Sequence, residues 1–145
     1  LPHPMDLNDW RPILAKLVAK AARRLRKYDC SATAVHLYLR FGDGTSWHAG
    51  HQLHHSIFTD HELLDAALSL QRSDLCLKKV KKITVTFFGL EKDNGQLSCL
   101  WDLVKEKSLA ISQDQINDKW GEYTLSYGSF LGSTGHVRDA IAFGK

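Results

Sequence analysis

Apolar residues at Leu14, Leu17, Val18, Ala21 and Leu25 recur at helical spacing, with Lys16, Lys20, Arg23 and Lys27 on the opposite side. That pattern predicts an amphipathic helix with one buried stripe and a solvated basic face. Asp9 is placed to cap it, and Pro12 falls in the first turn, where a missing N–H is tolerated. From Thr33 to Phe41 the period becomes two. Val35, Leu37, Leu39 and Phe41 share one face of a strand, and Ala34, His36, Tyr38 and Arg40 share the other. Gly42-Asp43-Gly44 is a tight-turn sequence, and a second strand from Thr45 to about Leu53 completes a hairpin.

Thr59-Asp60-His61-Glu62 has the form of a capping box, with Phe58 and Leu63 spaced as its hydrophobic staple. Leu63, Leu64, Ala67, Leu68 and Leu70 form the buried side of the helix that follows. A third strand runs from Val80 to Phe87, with Ile83, Val85 and Phe87 facing the core. Helix, strand, strand, helix, strand is an α+β order, solved most economically by an antiparallel sheet with two helices packed on one face. Tyr38, Arg40, Lys82, Thr84 and Thr86 then lie on the uncovered face. Beyond Trp101 the pattern predicts a C-terminal helix-strand extension. Ser108 to Trp120 is its helix, stopped by Gly121, and Tyr123 to Tyr127 its short strand. Gly128 to Gly135 reads as a loop, and Ala140-Ile141-Ala142-Phe143 as a last apolar patch.

With 145 residues, 43% of them apolar, the chain holds one domain and an appended piece. The expected division is 1–90 for the sheet domain, 91–107 for a linker and 108–145 for the extension. A net charge of +3 is too small for bulk attraction to a polyanion, so clustering has to supply it. Seven basic and no acidic residues lie between Arg11 and Lys27, and Lys78, Lys79, Lys81 and Lys82 add four. Strand alternation sends one of Lys81 and Lys82 outward and the other toward the helix side or the edge. An uncovered face of Lys, Thr, Thr, Arg and Tyr fits two readings: simple solvation, or donation to phosphate oxygens.

His48, His51, His54, His55 and His61 attract a metal-site reading, but His48 and His51 point to opposite faces of a strand, and no Cys or carboxylate completes a set. Asp60, Glu62 and Asp65 are explained by a helix start and a solvated face, and Asp114 and Asp118 by a helix surface. No residues are expected to be catalytic or metal-binding, and no cofactor is expected in this piece. Cys30, Cys76 and Cys99 read as reduced thiols of an intracellular protein. No apolar run reaches membrane-spanning length. Leu1-Pro2-His3-Pro4 reads as a linker, so an excised domain of a longer protein is expected.

In order, Ala21-Ala22-Arg23-Arg24-Leu25-Arg26, the hairpin, the Thr59-Asp60 helix and Val80-Lys81-Lys82-Ile83-Thr84-Val85-Thr86-Phe87 resemble the little-finger domain of Y-family translesion DNA polymerases, over about residues 1 to 90. Gln96-Leu97-Ser98-Cys99-Leu100-Trp101 sits where several bacterial members carry a sliding-clamp peptide of the form Gln-Leu-Ser/Asp-Leu-Phe, although Cys99 replaces a Leu. The tail, with Ile116 to Gly121 and Arg138 to Gly144, is similar to the extension in the polymerase V catalytic subunit and its relatives.

The resemblance implies a domain that grips primer–template DNA without reading sequence, in the SOS response to damaged DNA, within a DNA-directed DNA polymerase. Nucleotidyl transfer and its Mg would belong to palm and fingers domains not in this piece, and the setting would be cytoplasmic and nucleoid-associated. The implied DNA-facing residues are Tyr38, Arg40, His51, Lys81, Lys82, Thr84 and Thr86. The implied clamp anchors are Gln96, Leu97, Leu100 and Trp101. The family's sheet often begins with a strand before the first helix, which is expected to be missing or displaced here. Where the second strand commonly offers two arginines, this chain has Ala49 and His51, which implies weaker and more pH-sensitive binding. The alternative is a partner-docking domain of a catalytically inactive polymerase-like DNA-damage accessory protein. Lesion specificity and oligomeric state leave no mark in these patterns.

Overall fold

The computed structural model describes residues 7–71, 78–92 and 101–126, with side chains placed from residue 10 in the first helix and from residue 104 in the last. The elements run α1 (Leu7–Lys27), β1 (Cys30–Phe41), β2 (Ser46–Ile57), α2 (Asp60–Ser69), β3 (Val80–Lys92) and α3 (Trp101–Trp120). The three strands form an antiparallel sheet in the order β2-β1-β3. α1 and α2 pack against each other and on one face of that sheet, as the α+β pattern predicts.

α1 begins two residues before Asp9, so Asp9 lies inside the helix rather than at its cap, and Pro12 is internal. Pro12 removes the bond that residue 12 would donate to residue 8. The cost is met by packing. Trp10, Leu14, Val18, Ala22 and Leu25 are buried, whereas Leu17 and Ala21 are only half-buried. The core stripe is thus turned slightly from the expected one, toward Trp10. The indole N–H of Trp10 is buried without a hydrogen-bond partner among the described residues.

β1 is central because its odd positions are apolar and its neighbours pair on both sides. Val35, Leu37, Leu39 and Phe41 meet Leu63, Leu64 and Ala67 of α2 and the α1 stripe in one buried cluster. Each such large side chain contributes about 1.5–3 kcal/mol by leaving water. The β1–β2 turn is closed by Asp43, which accepts from the Thr45 N–H at 2.8 Å and the Thr45 hydroxyl at 2.6 Å. Gly44 follows at φ +86°, a conformation that favours glycine. The capping box forms as read: Thr59 Oγ1 accepts from the Glu62 N–H at 3.3 Å, and Glu62 Oε2 accepts from the Thr59 N–H at 3.4 Å.

β3 continues five residues past Phe87 because its second half pairs with the start of β1, Ala34 opposite Phe88 and Cys30 opposite Lys92. α3 starts at Trp101, seven residues before Ser108, so the span between β3 and α3 shrinks from the expected 91–107 to residues 93–100. The strand expected from Tyr123 is corrected by the backbone. Gly121 at φ +113° and Tyr123 at φ +67° turn the chain, and the Asn117 side chain then brackets Leu125. It accepts from the Leu125 N–H at 2.8 Å and donates to its carbonyl at 2.9 Å. Tyr127 and the patch at Ala140-Phe143 lie outside the described residues. Among the described residues no helix is long and apolar enough to cross a membrane.

Candidate nucleic-acid interface

Directly paired residues of neighbouring strands point to the same side of a sheet, so register assigns every side chain to a face. The face away from α1 and α2 is built of four rows. Ser46, Arg40 and Lys82 form the first; His48, Tyr38 and Thr84 the second; Gly50, His36 and Thr86 the third; Gln52, Ala34 and Phe88 the fourth. Five of the seven expected DNA-facing residues, Tyr38, Arg40, Lys82, Thr84 and Thr86, therefore meet on one surface. Arg40, Lys82, Thr84 and Thr86 are exposed, and Tyr38 is half-buried between strands.

Lys81 occupies the irregularity where the register shifts between Arg40 and Phe41: Arg40 pairs with Lys82 and Phe41 with Val80. An extra residue in one strand interrupts the ladder and bends that strand, so Lys81 stands at the edge, exposed, beside the first row. His51 is placed differently from the expectation. It pairs with Val35, on the face that carries the helices, and is exposed at the sheet's outer strand with His54 edge-on at 6.3 Å. The reason is parity: His48 and Gly50 share the open face, so His51 cannot.

Register also brings in His36, His48, Ser46 and Gln52, which were not among the expected DNA-facing residues. The rings of His36 and His48 lie 5.5 Å apart across β1 and β2. Alternation along β1 already put His36 on this face; Ser46, His48 and Gln52 became visible only once each β2 position was matched to its β1 partner.

The open face has no carboxylate in its four rows. Asp43 sits in the turn, where the Thr45 hydroxyl, then the Thr45 N–H, and more weakly Lys78, hold its carboxyl below the usual range. Lys78 Nζ lies 3.4 Å from Asp43 and 3.1 Å from Thr45 Oγ1, which fastens the start of β3 to the hairpin tip.

Part of the charge on the helical side is paired internally. Two residues of the basic stripe of α1, which was expected to be solvated, meet acidic residues of α3 and the turn after it. Lys20 pairs with Glu122 at 3.3 Å, and Arg23 pairs with Asp118. Arg26, 8% exposed, donates through Nε and Nη2 to both oxygens of Asp114 at 2.7 and 2.8 Å, and through Nη1 to Asp60 at 2.7 Å and the Phe58 carbonyl at 3.0 Å. Burial works against the Arg26 charge, but Asp114 and Asp60 outweigh it and hold the guanidinium above its usual range. Burial also pushes the Asp60 carboxyl up, more than Arg26 pulls it down.

Gln96, Leu97 and Leu100 lie outside the described residues; Trp101 is the first residue of α3, its side chain not described. Among the described residues no three His, Cys, Asp or Glu side chains group to hold a metal ion.

Compared with protein-family models, residues 2–99 match the impB/mucB/samB family C-terminal domain. The match spans α1 to β3 and stops short of α3. No curated protein and no solved structure matches the chain.

Proposed function

The chain belongs to the impB/mucB/samB C-terminal-domain family, the little-finger region of Y-family translesion polymerases, and from that membership we propose that its open sheet face grips primer–template DNA by phosphate contacts. The observation that carries this reading is the set of four carboxylate-free rows, where Arg40 and Lys82 adjoin hydroxyl donors from Tyr38, Thr84 and Thr86. Such donors fix a duplex in register without reading its bases. Lys81, at the edge of the same row, adds a further positive charge. His51 is not part of this reading, because it lies on the other face.

Recruitment to a sliding clamp belongs to the same proposal. Gln96-Leu97-Ser98-Cys99-Leu100-Trp101 follows the end of β3 at Lys92 and runs up to and includes the first residue of α3. The segment has a polar lead residue followed by apolar anchors. Replacing Gln96 and Leu97 by Ala should abolish clamp binding and leave DNA binding intact; loss of both would mark those residues as core.

The grip is tested by binding to a primer–template duplex across a salt series, with Lys81→Ala/Lys82→Ala beside the parent chain. For every phosphate that the variant no longer neutralises, the salt slope should fall by about 0.9. Salt-sensitive binding that the double variant weakens supports the reading. The modest charge of the four rows, with Arg40 and Lys82 as their cations, favours the second reading of a docking domain in a catalytically inactive accessory protein. Absence of DNA binding even at low salt would favour that second reading.

A further inference from the structure

We propose that His36 and His48 act as a pair of phosphate donors on the open face, so that its hold on a DNA backbone tightens as pH falls. The inference rests on the DNA-gripping reading above. It starts from a local peculiarity of β2. Gly50 is the residue directly opposite His36, and a Cβ at that position would come within 3.3 Å of His36 Cδ2 and of the Val35 carbonyl oxygen. The missing side chain leaves room for the His36 ring to lie across β2. There it meets His48, one row along, with centroids 5.5 Å apart and planes at 39°. Two imidazoles from different strands thus occupy one small area of a surface that already presents Arg40 and Lys82.

The surroundings decide how these rings respond to a proton. From β1, Tyr38 stands beside both, with Arg40 one row further on. From β3, Thr84 and Thr86 face them, with Lys82 beyond. From β2, Ser46 and Gly50 flank His48. The acidic residues of the hairpin and β3 are elsewhere: Asp43 is engaged by Thr45 and Lys78 in the turn, and Glu91 pairs with Ser31 near the far end of β3, beyond the fourth row. The helices α1 and α2 lie behind the sheet. No carboxylate in these rows offers an imidazolium a partner, and two cations stand nearby.

A phosphate backbone laid on the face supplies that partner. Histidine is the side chain whose charge changes within the physiological pH range, so this exchange can be read there. An imidazolium donates from both ring nitrogens, and a charge-assisted bond to phosphate is about twice as strong as a neutral one. Linkage is reciprocal: if protonation tightens DNA binding, DNA must raise the proton affinity of His36 and His48 by the same factor. With both rings protonated, the cations in these rows rise from two to four, adding up to about 1.8 to the salt slope.

The test measures primer–template binding at fixed ionic strength near pH 5.5 and pH 8 for the parent chain, His36→Gln/His48→Gln, His36→Lys/His48→Lys and His51→Gln. Histidine ring-proton NMR titrations with and without duplex run alongside. The parent and His51→Gln are expected to bind about tenfold tighter at the lower pH. The Gln pair should lose that dependence at the weak level, and the Lys pair should lose it at the tight level. The duplex should move the titrations of His36 and His48 upward. If the Gln pair keeps the full pH dependence, or the duplex leaves both titrations in place, the proposal is overturned while the grip stands. If the parent chain binds no duplex at either pH, the grip itself is wrong and the proposal falls with it.

Discussion

The Asp43 carboxylate accepts from the Thr45 hydroxyl at 2.6 Å and sits 3.4 Å from Lys78 Nζ, so one side chain joins the hairpin tip to the start of β3. Its folded carboxyl titrates below the ordinary value of 3.8. The folded state therefore binds this proton less tightly than the unfolded chain does. The stabilising contribution is present above that ordinary value and is lost as pH falls through the folded one. Asp43→Asn should flatten this part of the acid dependence, seen as a smaller drop in the urea midpoint between about pH 5 and pH 2. A variant with the parent's full dependence would mean the turn interactions do not hold in solution. This residue was legible in part: Gly-Asp-Gly announces a turn, but not the reach of Lys78. His51 was misplaced for a different reason. Alternation fixes which residues share a face within a strand, and only pairing with β1 says which face of the largely polar β2 joins the open one.

At the scale of elements, Arg26 joins three helices through Asp60 of α2 and Asp114 of α3. α3 is otherwise an unusual partner: Ala110 is its one buried residue among the described side chains, and Leu109 and Trp120 are 63% and 69% exposed. Ion pairs rather than apolar packing hold it against α1. Arg26→Ala would leave Asp60 buried and unpaired, and removing one partner of a buried pair costs about 3–5 kcal/mol. Burial raises the Asp60 carboxyl in the fold, and losing Arg26, which pulls it down, raises it further. The loss in Arg26→Ala should therefore be largest at neutral pH and shrink as pH falls. Adding Asp60→Asn should recover part of it, measurable as a coupling energy in a double-mutant cycle. Additive losses would mean that the two groups do not interact. The capping box of α2 was readable from four consecutive residues because both partners are local. Asp114 and Asp118 read as plain helix surface because their partners on α1 lie far off in the chain.

Across the whole molecule, a net charge of +3 hides an uneven distribution. On the helical side, Lys20, Arg23 and Arg26 face Glu122, Asp118 and Asp114, whereas Arg40 and Lys82 share rows that hold no carboxylate. The basic run in α1, the longest in the sequence, is partly spent on acidic residues of α3 and of the turn after it, and the shorter basic strand carries the surface suited to a polyanion. The element order and the uncovered face were legible because period-two and helical patterns are unambiguous in this chain. The pairing of Lys20, Arg23 and Arg26 was not, since α3 reveals its register only when packed. The most direct measurement is an amide NMR map of the chain titrated with a primer–template duplex at low salt. A grip through the open face predicts shifts concentrated at Tyr38, Arg40, Lys82, Thr84 and Thr86, fading as salt rises, with α1 and α3 largely unmoved. Shifts centred on α1 or α3, with those five residues silent, would contradict it.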